Sequence, residues 1–98
     1  MLPAGTWCFL TNHAHVLLCV ARDPESRVRD IAGQVGITER AAQRILADLI
    51  GEGYVKRTKV GRRNRYAIDP ARHLRHPGLR ELSVGPLIDV LTERRGAG

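Results

Sequence analysis

Residues 28–53 read VRDIAGQVGITERAAQRILADLIGEG, and this stretch decides the fold. Val28, Ile31, Ala32 and Val35 stand at i, i+3, i+4 and i+7, which is one face of a short helix. Gly36 ends it, because glycine enters the left-handed conformation of a helix C-cap without a Cβ penalty. Ile37 follows, and Thr38 is the N-cap of a longer helix with Glu39 in its first turn, where an acid suits the helix dipole. Ala41, Ala42, Ile45, Leu46, Leu49 and Ile50 form a broad apolar stripe along it to about Glu52, and Gly53 closes it.

The flanks extend the pattern. Upstream, Thr11 is a second good N-cap and residues 12–21 read as a first helix, ended by Asp23, Pro24, Glu25 and Ser26. Its apolar residues (Ala14, Val16, Leu17, Leu18, Cys19, Val20, Ala21) run most of the way round. That predicts burial on more than one side and points to a partner subunit. Trp7, Cys8, Phe9 and Leu10 are expected to pack as a lead-in arm. Downstream, residues 54–68 read YVKRTKVGRRNRYAI, with apolar and polar residues now in strand order. Runs at 54–60 and 65–68, linked by Gly61, Arg62, Arg63 and Asn64, predict a β-hairpin stopped by Asp69 and Pro70. Residues 71–78 are irregular and basic, and a last helix is expected over about 86–94 with Pro86 at its first position. The expected fold is mainly α with a small β-hairpin, in the order α-α-α-β-β-α. It makes a single domain over 1–98, a core at 11–68 and a C-terminal segment at 69–98 that carries a dimerisation helix.

Charge narrows the function. The chain has 98 residues and a formal net charge of +6. Lys56, Arg57, Lys59, Arg62, Arg63 and Arg65 fall between Tyr54 and Tyr66 with no acid among them, while the remaining ten basic and ten acidic side chains cancel. The whole excess therefore lies on the hairpin, an electrostatic footprint for a polyanion. No apolar run approaches the roughly 18 residues that span a bilayer, so no membrane association is expected. The N-terminus lacks the features of a signal peptide, and two cysteines are too few for a disulfide scaffold, so a cytoplasmic, reduced setting is expected. Four aromatic residues leave little with which to wall a large ligand cavity.

Two helices joined by a three-residue turn containing glycine have the spacing of a helix-turn-helix. In that motif the second helix enters the major groove of DNA. Arg40, Gln43, Arg44 and Ala47 stand at i, i+3, i+4 and i+7, opposite the Ala42, Leu46 and Leu49 stripe. Arginine can donate two hydrogen bonds to guanine and glutamine can pair with adenine, so this face suits base edges.

Residues 31–68 resemble the winged helix-turn-helix of bacterial transcription regulators of the MarR, ArsR and Lrp type. The resemblance is carried by Asp30, Ile31 and Ala32, by Gly36, Ile37 and Thr38 at the turn, and by Ala41 through Leu49. Asp48 through Arg57 is similar to the "leucine, two or three residues, Gly, apolar, apolar, x, Arg" signature of these families. Small actinobacterial winged-helix proteins are the most similar in length and composition. The resemblance implies a sequence-specific regulator on double-stranded DNA, with Thr38, Arg40, Gln43 and Arg44 facing bases and phosphates from a recognition helix over 38–52. It implies that Arg62, Arg63 and Asn64 form a wing tip at the minor groove. Lys56, Arg57, Lys59 and Arg65 would mostly face phosphates along the wing at 54–68. Strand alternation puts Arg57 and Lys59 on the side of Val55, so one of them is expected to brace the wing. Arg27 and Arg29 are further candidates for the DNA backbone, with Glu25 and Asp30 as competing ion-pair partners. A homodimer on a two-fold symmetric operator is expected, paired through the first and last helices.

Other signals are weaker. Cys8, His13, His15 and Cys19 are metal-ligand types within 12 residues, but their spacing matches no common zinc pattern. No nucleophile with a base, phosphate-binding glycine loop or carboxylate pair is visible, so no catalytic residue, metal or cofactor is expected. A small-molecule effector is left open. The competing readings are a winged helix used for protein interaction, and a redox- or metal-responsive DNA-binding sensor.

Overall fold

The computed structural model describes residues 8–92. The elements are α1 (Asn12–Arg22), α2 (Val28–Val35), α3 (Glu39–Gly51), β1 (Val55–Val60), β2 (Arg63–Ile68) and α4 (Val84–Thr92). This is the expected order of a winged helix.

Caps set the helix starts. The Thr11 hydroxyl accepts the N–H of Ala14 at 3.2 Å, and that of Thr38 accepts the N–H of Ala41 at 3.0 Å. Gly36 sits at φ +86°, and the Ala32 carbonyl accepts the N–H groups of both Gly36 (2.8 Å) and Ile37 (3.0 Å). That left-handed cap turns the chain from α2 into α3.

α1 is the hub of the core. Val16, Leu17, Leu18, Cys19 and Val20 are all buried, and α1 packs against α2, α3, α4 and β2. Its all-round apolar surface is therefore consumed within one chain, and the expectation that it serves a partner subunit is not needed to explain it. α4 closes the core from the other side, with Val84 and Ile88 buried and Leu91 half-buried against it. The lead-in arm departs from expectation: Leu10 packs on the core, but Phe9 is 88% exposed. Trp7 lies outside the described residues, as does the expected end of α4 at Arg94.

The hairpin is tighter than its sequence implied. Val60 pairs with Arg63, so the link is Gly61 and Arg62 alone, and β2 starts two residues before the expected Arg65. Gly61 takes φ +65°, which lets a two-residue turn follow the right-handed twist of the strands. The 69–83 segment folds back on the body: Val84 N–H donates to the Arg72 carbonyl at 2.8 Å, Leu74 N–H to the Leu82 carbonyl at 2.9 Å, and His73 bridges to Ser83. α4 begins at Val84, not Pro86. A proline is tolerated in the first turn because the N–H it lacks would have had no intrahelical acceptor there. Gly85 is required by close approach, since a Cβ there would lie 2.9 Å from the Pro70 carbonyl oxygen.

Candidate nucleic-acid interface

α3 has two faces. Ala42, Ile45, Leu46 and Leu49 are buried, while Arg40, Gln43, Arg44 and Ala47 are exposed, as the helix wheel requires. Thr38 begins this surface. Its oxygen is used as the cap, which leaves the hydroxyl proton available as a donor. The acids at the C-terminal end of α3 have partners. Asp48 pairs with His13 of α1 at 2.8 Å, and Glu52 pairs with Arg75 at 3.1 Å. The first pair also ties α1 to α3.

The wing projects beside this helix. Only Val55 of β1 is buried, so Lys56, Arg57 and Lys59 are exposed on both faces of the strand. Arg62, Arg63 and Arg65 are exposed and Asn64 is half-buried. Among the described residues no side-chain carboxylate pairs with Lys56, Arg57, Lys59 or Arg62. The wing is not braced by Arg57 or Lys59, as strand alternation suggested, but from β2. Arg65 Nη1 donates to Glu25 Oε2 at 3.0 Å, Arg63 Nη2 donates to the Glu25 carbonyl at 3.2 Å, and Tyr66 N–H donates to the Pro24 carbonyl at 2.8 Å. Glu25 is thus bound to the wing, leaving Arg27 and Arg29 exposed at the start of α2. A cleft of about 370 Å³ separates the loop from the wing tip, lined by Arg27, Arg62, Arg63 and Asn64 among others. No local sequence signal links Glu25 to Arg65, 40 residues away.

The cysteine and histidine cluster does not assemble. His13 turns to Asp48, Cys8 Sγ lies 3.6 Å from His15 Nε2, and the Cys19 thiol donates to Gln34 Oε1 at 3.4 Å. Among the described residues no group of three His, Cys, Asp or Glu could hold a metal ion. Burial pushes the Cys19 thiol up from its ordinary pKa, partly offset by Arg22. Since the thiolate is the reactive form, a limiting maleimide reagent at neutral pH labels exposed Cys8 first. Mass spectrometry of chymotryptic peptides, which separate the two cysteines, checks this, with Cys19 labelled only as the fold opens.

The geometry defines a class: a winged-helix DNA-binding domain, with an exposed donor face on α3 and a basic hairpin beside it. The chain belongs to the IclR helix-turn-helix domain family, whose pattern matches residues 10–59. It is therefore a DNA-binding domain of transcription regulation. This corrects the MarR, ArsR or Lrp assignment. The residues behind that assignment (Gly36, the α3 stripe, Gly53 before β1) are dictated by winged-helix packing, so they select the architecture and not the family. The matched stretch spans α1, α2, α3 and all of β1 but Val60, and leaves β2 and α4 outside it. No curated protein matches the chain. Among the described residues no helix is long and apolar enough to cross a membrane.

Proposed function

We propose that the protein is a sequence-specific regulator that occupies a two-fold symmetric operator as a homodimer. α3 lies in the major groove, where Arg40, Gln43 and Arg44 read base edges and Thr38 contacts the backbone. The wing tip, Arg62, Arg63 and Asn64, lies at the adjacent minor groove. Lys56, Arg57 and Lys59 face phosphates, with Arg65 behind them. The observation that supports this best is the juxtaposition of an acid-free basic wing with a recognition face whose three long donors are all exposed. The whole chain acts as one domain, in the cytoplasm on the nucleoid.

The dimer contact falls to α4. α1 is enclosed by its own chain, but α4 leaves Leu87 40% and Val90 66% exposed on its outer side. Pairing through that face covers both and sets two recognition helices about one turn of DNA apart.

Selection of bound sequences from random duplex DNA tests the reading. A palindromic consensus is the expected result. Gln43→Ala relaxes preference at one position of each half-site, by roughly tenfold in the ratio of preferred to other bases, since a bidentate pair contributes about 1–3 kcal/mol of discrimination. Duplex binding that survives about 0.3 M salt undiminished contradicts the reading, because phosphate contacts make affinity fall steeply with salt.

A further inference from the structure

Besides packing on α1 and α3, the wing is held by the loop between α1 and α2. The bond from Tyr66 N–H to the Pro24 carbonyl already holds β2 there, and the Tyr66 side chain is buried. Glu25 adds something a backbone bond cannot, which is a negative charge set against the edge of an otherwise acid-free basic hairpin. Its carboxylate takes Arg65 at 3.0 Å and its carbonyl takes Arg63 at 3.2 Å. Among the described residues, Glu25 is the acid that pairs with a wing cation.

We propose that Glu25 is a positioning residue of the DNA interface: it orients Arg63 and Arg65 along the α1–α2 loop and withholds the Arg65 charge from phosphate. This rests on the wing meeting the DNA backbone, as proposed above. Affinity for any duplex grows as protein cations replace the counterions condensed on the phosphates. A guanidinium that arrives already paired with a carboxylate replaces none. The wing therefore carries six cations but sets at most five of them against DNA. The sixth fixes the angle at which the hairpin leaves the body. Because both partners are half exposed, with side-chain exposures of 55% and 48%, the pair is accessible to phosphate and the withholding is a competition between two anions. Removing one anion from that competition hands Arg65 to the other.

The test is the salt dependence of binding to a random-sequence duplex, followed by fluorescence anisotropy in the parent, Glu25→Gln, Arg65→Gln and the double variant. Glutamine keeps an oxygen for Arg65 but removes the charge. The expected result is an unchanged melting temperature and a log–log salt slope steeper by about 0.9 per bound subunit, one added phosphate contact each. Affinity at 0.1 M salt then rises about eightfold per bound subunit, the same contact expressed at that salt. Glu25→Asp returns the slope to the parent value. In the Arg65→Gln background, Glu25→Gln leaves the slope where it was. A slope in Glu25→Gln equal to or shallower than the parent overturns the proposal, as does the same steepening in the double variant. Should Glu25→Gln lower the melting temperature, Arg65→Gln decides. It shifts the slope by less than half of what Arg62→Gln does if Arg65 is withheld, and by as much if it is not. Failure of the underlying reading shows separately, in a parent protein that binds no duplex or binds it without salt dependence, and takes the proposal with it.

Discussion

Replacing Lys59 and Arg62 together by glutamine lowers affinity for every duplex by about 60-fold per bound subunit at 0.1 M salt. The figure follows from the slope of about −0.9 per phosphate contact, which at that salt is 0.9 of a decade for each cation lost. These two residues are chosen because they flank the Gly61 turn, are exposed and have no acidic partner among the described residues. The log–log slope flattens by about 1.8 per subunit, while the sequence recovered by selection stays the same, because phosphate contacts orient the protein and base contacts specify. Titrations at four or five salt concentrations measure both quantities. An altered consensus with an unaltered slope would put Arg62 on a base edge and not on the backbone.

Ile31→Ala costs about 2–5 kcal/mol of folding stability. Ile31 is fully buried, on the inner face of α2 where the short helix meets the core. Truncation removes the transfer free energy of the lost methylenes and leaves a cavity that a small domain can only partly close. Total stabilities of domains lie near 5–15 kcal/mol, so this one change takes a large share. For a domain of this size each kcal/mol shifts the melting temperature by roughly 4–8 °C, so a fall of more than about 8 °C is expected. Differential scanning calorimetry measures it. DNA affinity at 10 °C stays near the parent value as long as the variant is folded, because Ile31 is fully buried and none of the residues proposed to face DNA is.

The local chemistry of the chain was legible in one dimension. Thr11, Gly36, Thr38 and Gly53 mark helix ends because a cap needs one hydroxyl or one left-handed residue at a defined offset, and the structure places all four at such ends. The two faces of α3 follow from a period of 3.6 residues, so the helix wheel alone sets Arg40, Gln43 and Arg44 opposite Leu46 and Leu49. The charge excess on residues 54–66 is a matter of composition alone. Where short-range rules are weaker, element ends shift by a few residues. Asn64 resembles a turn residue and lengthens the expected hairpin link, whereas the positive φ of Gly61 already suffices for a two-residue turn. α4 starts two residues before Pro86, because a proline fits any position of the first turn and so does not mark the first one.

Only the tertiary structure decided who meets whom. The apolar girdle of α1 reads equally well as a monomer hub or as a subunit contact, and its packing against α2, α3, α4 and β2 assigns it to the first. The four ligand-type side chains before and within α1, Cys8, His13, His15 and Cys19, come apart because His13 finds Asp48 on another helix. Glu25 looked like a partner for its neighbours Arg27 and Arg29, and instead it holds the wing through Arg65. The reason is common to all three. Caps, turns and helix faces are set by interactions within a few residues and repeat at known spacings, so the sequence by itself determined the winged helix and its basic edge. Pairings across 35 or 40 residues depend on how the elements dock, and no periodicity encodes them. The attachment of the wing to the α1–α2 loop, and with it the number of cations left for DNA, was therefore decided in three dimensions.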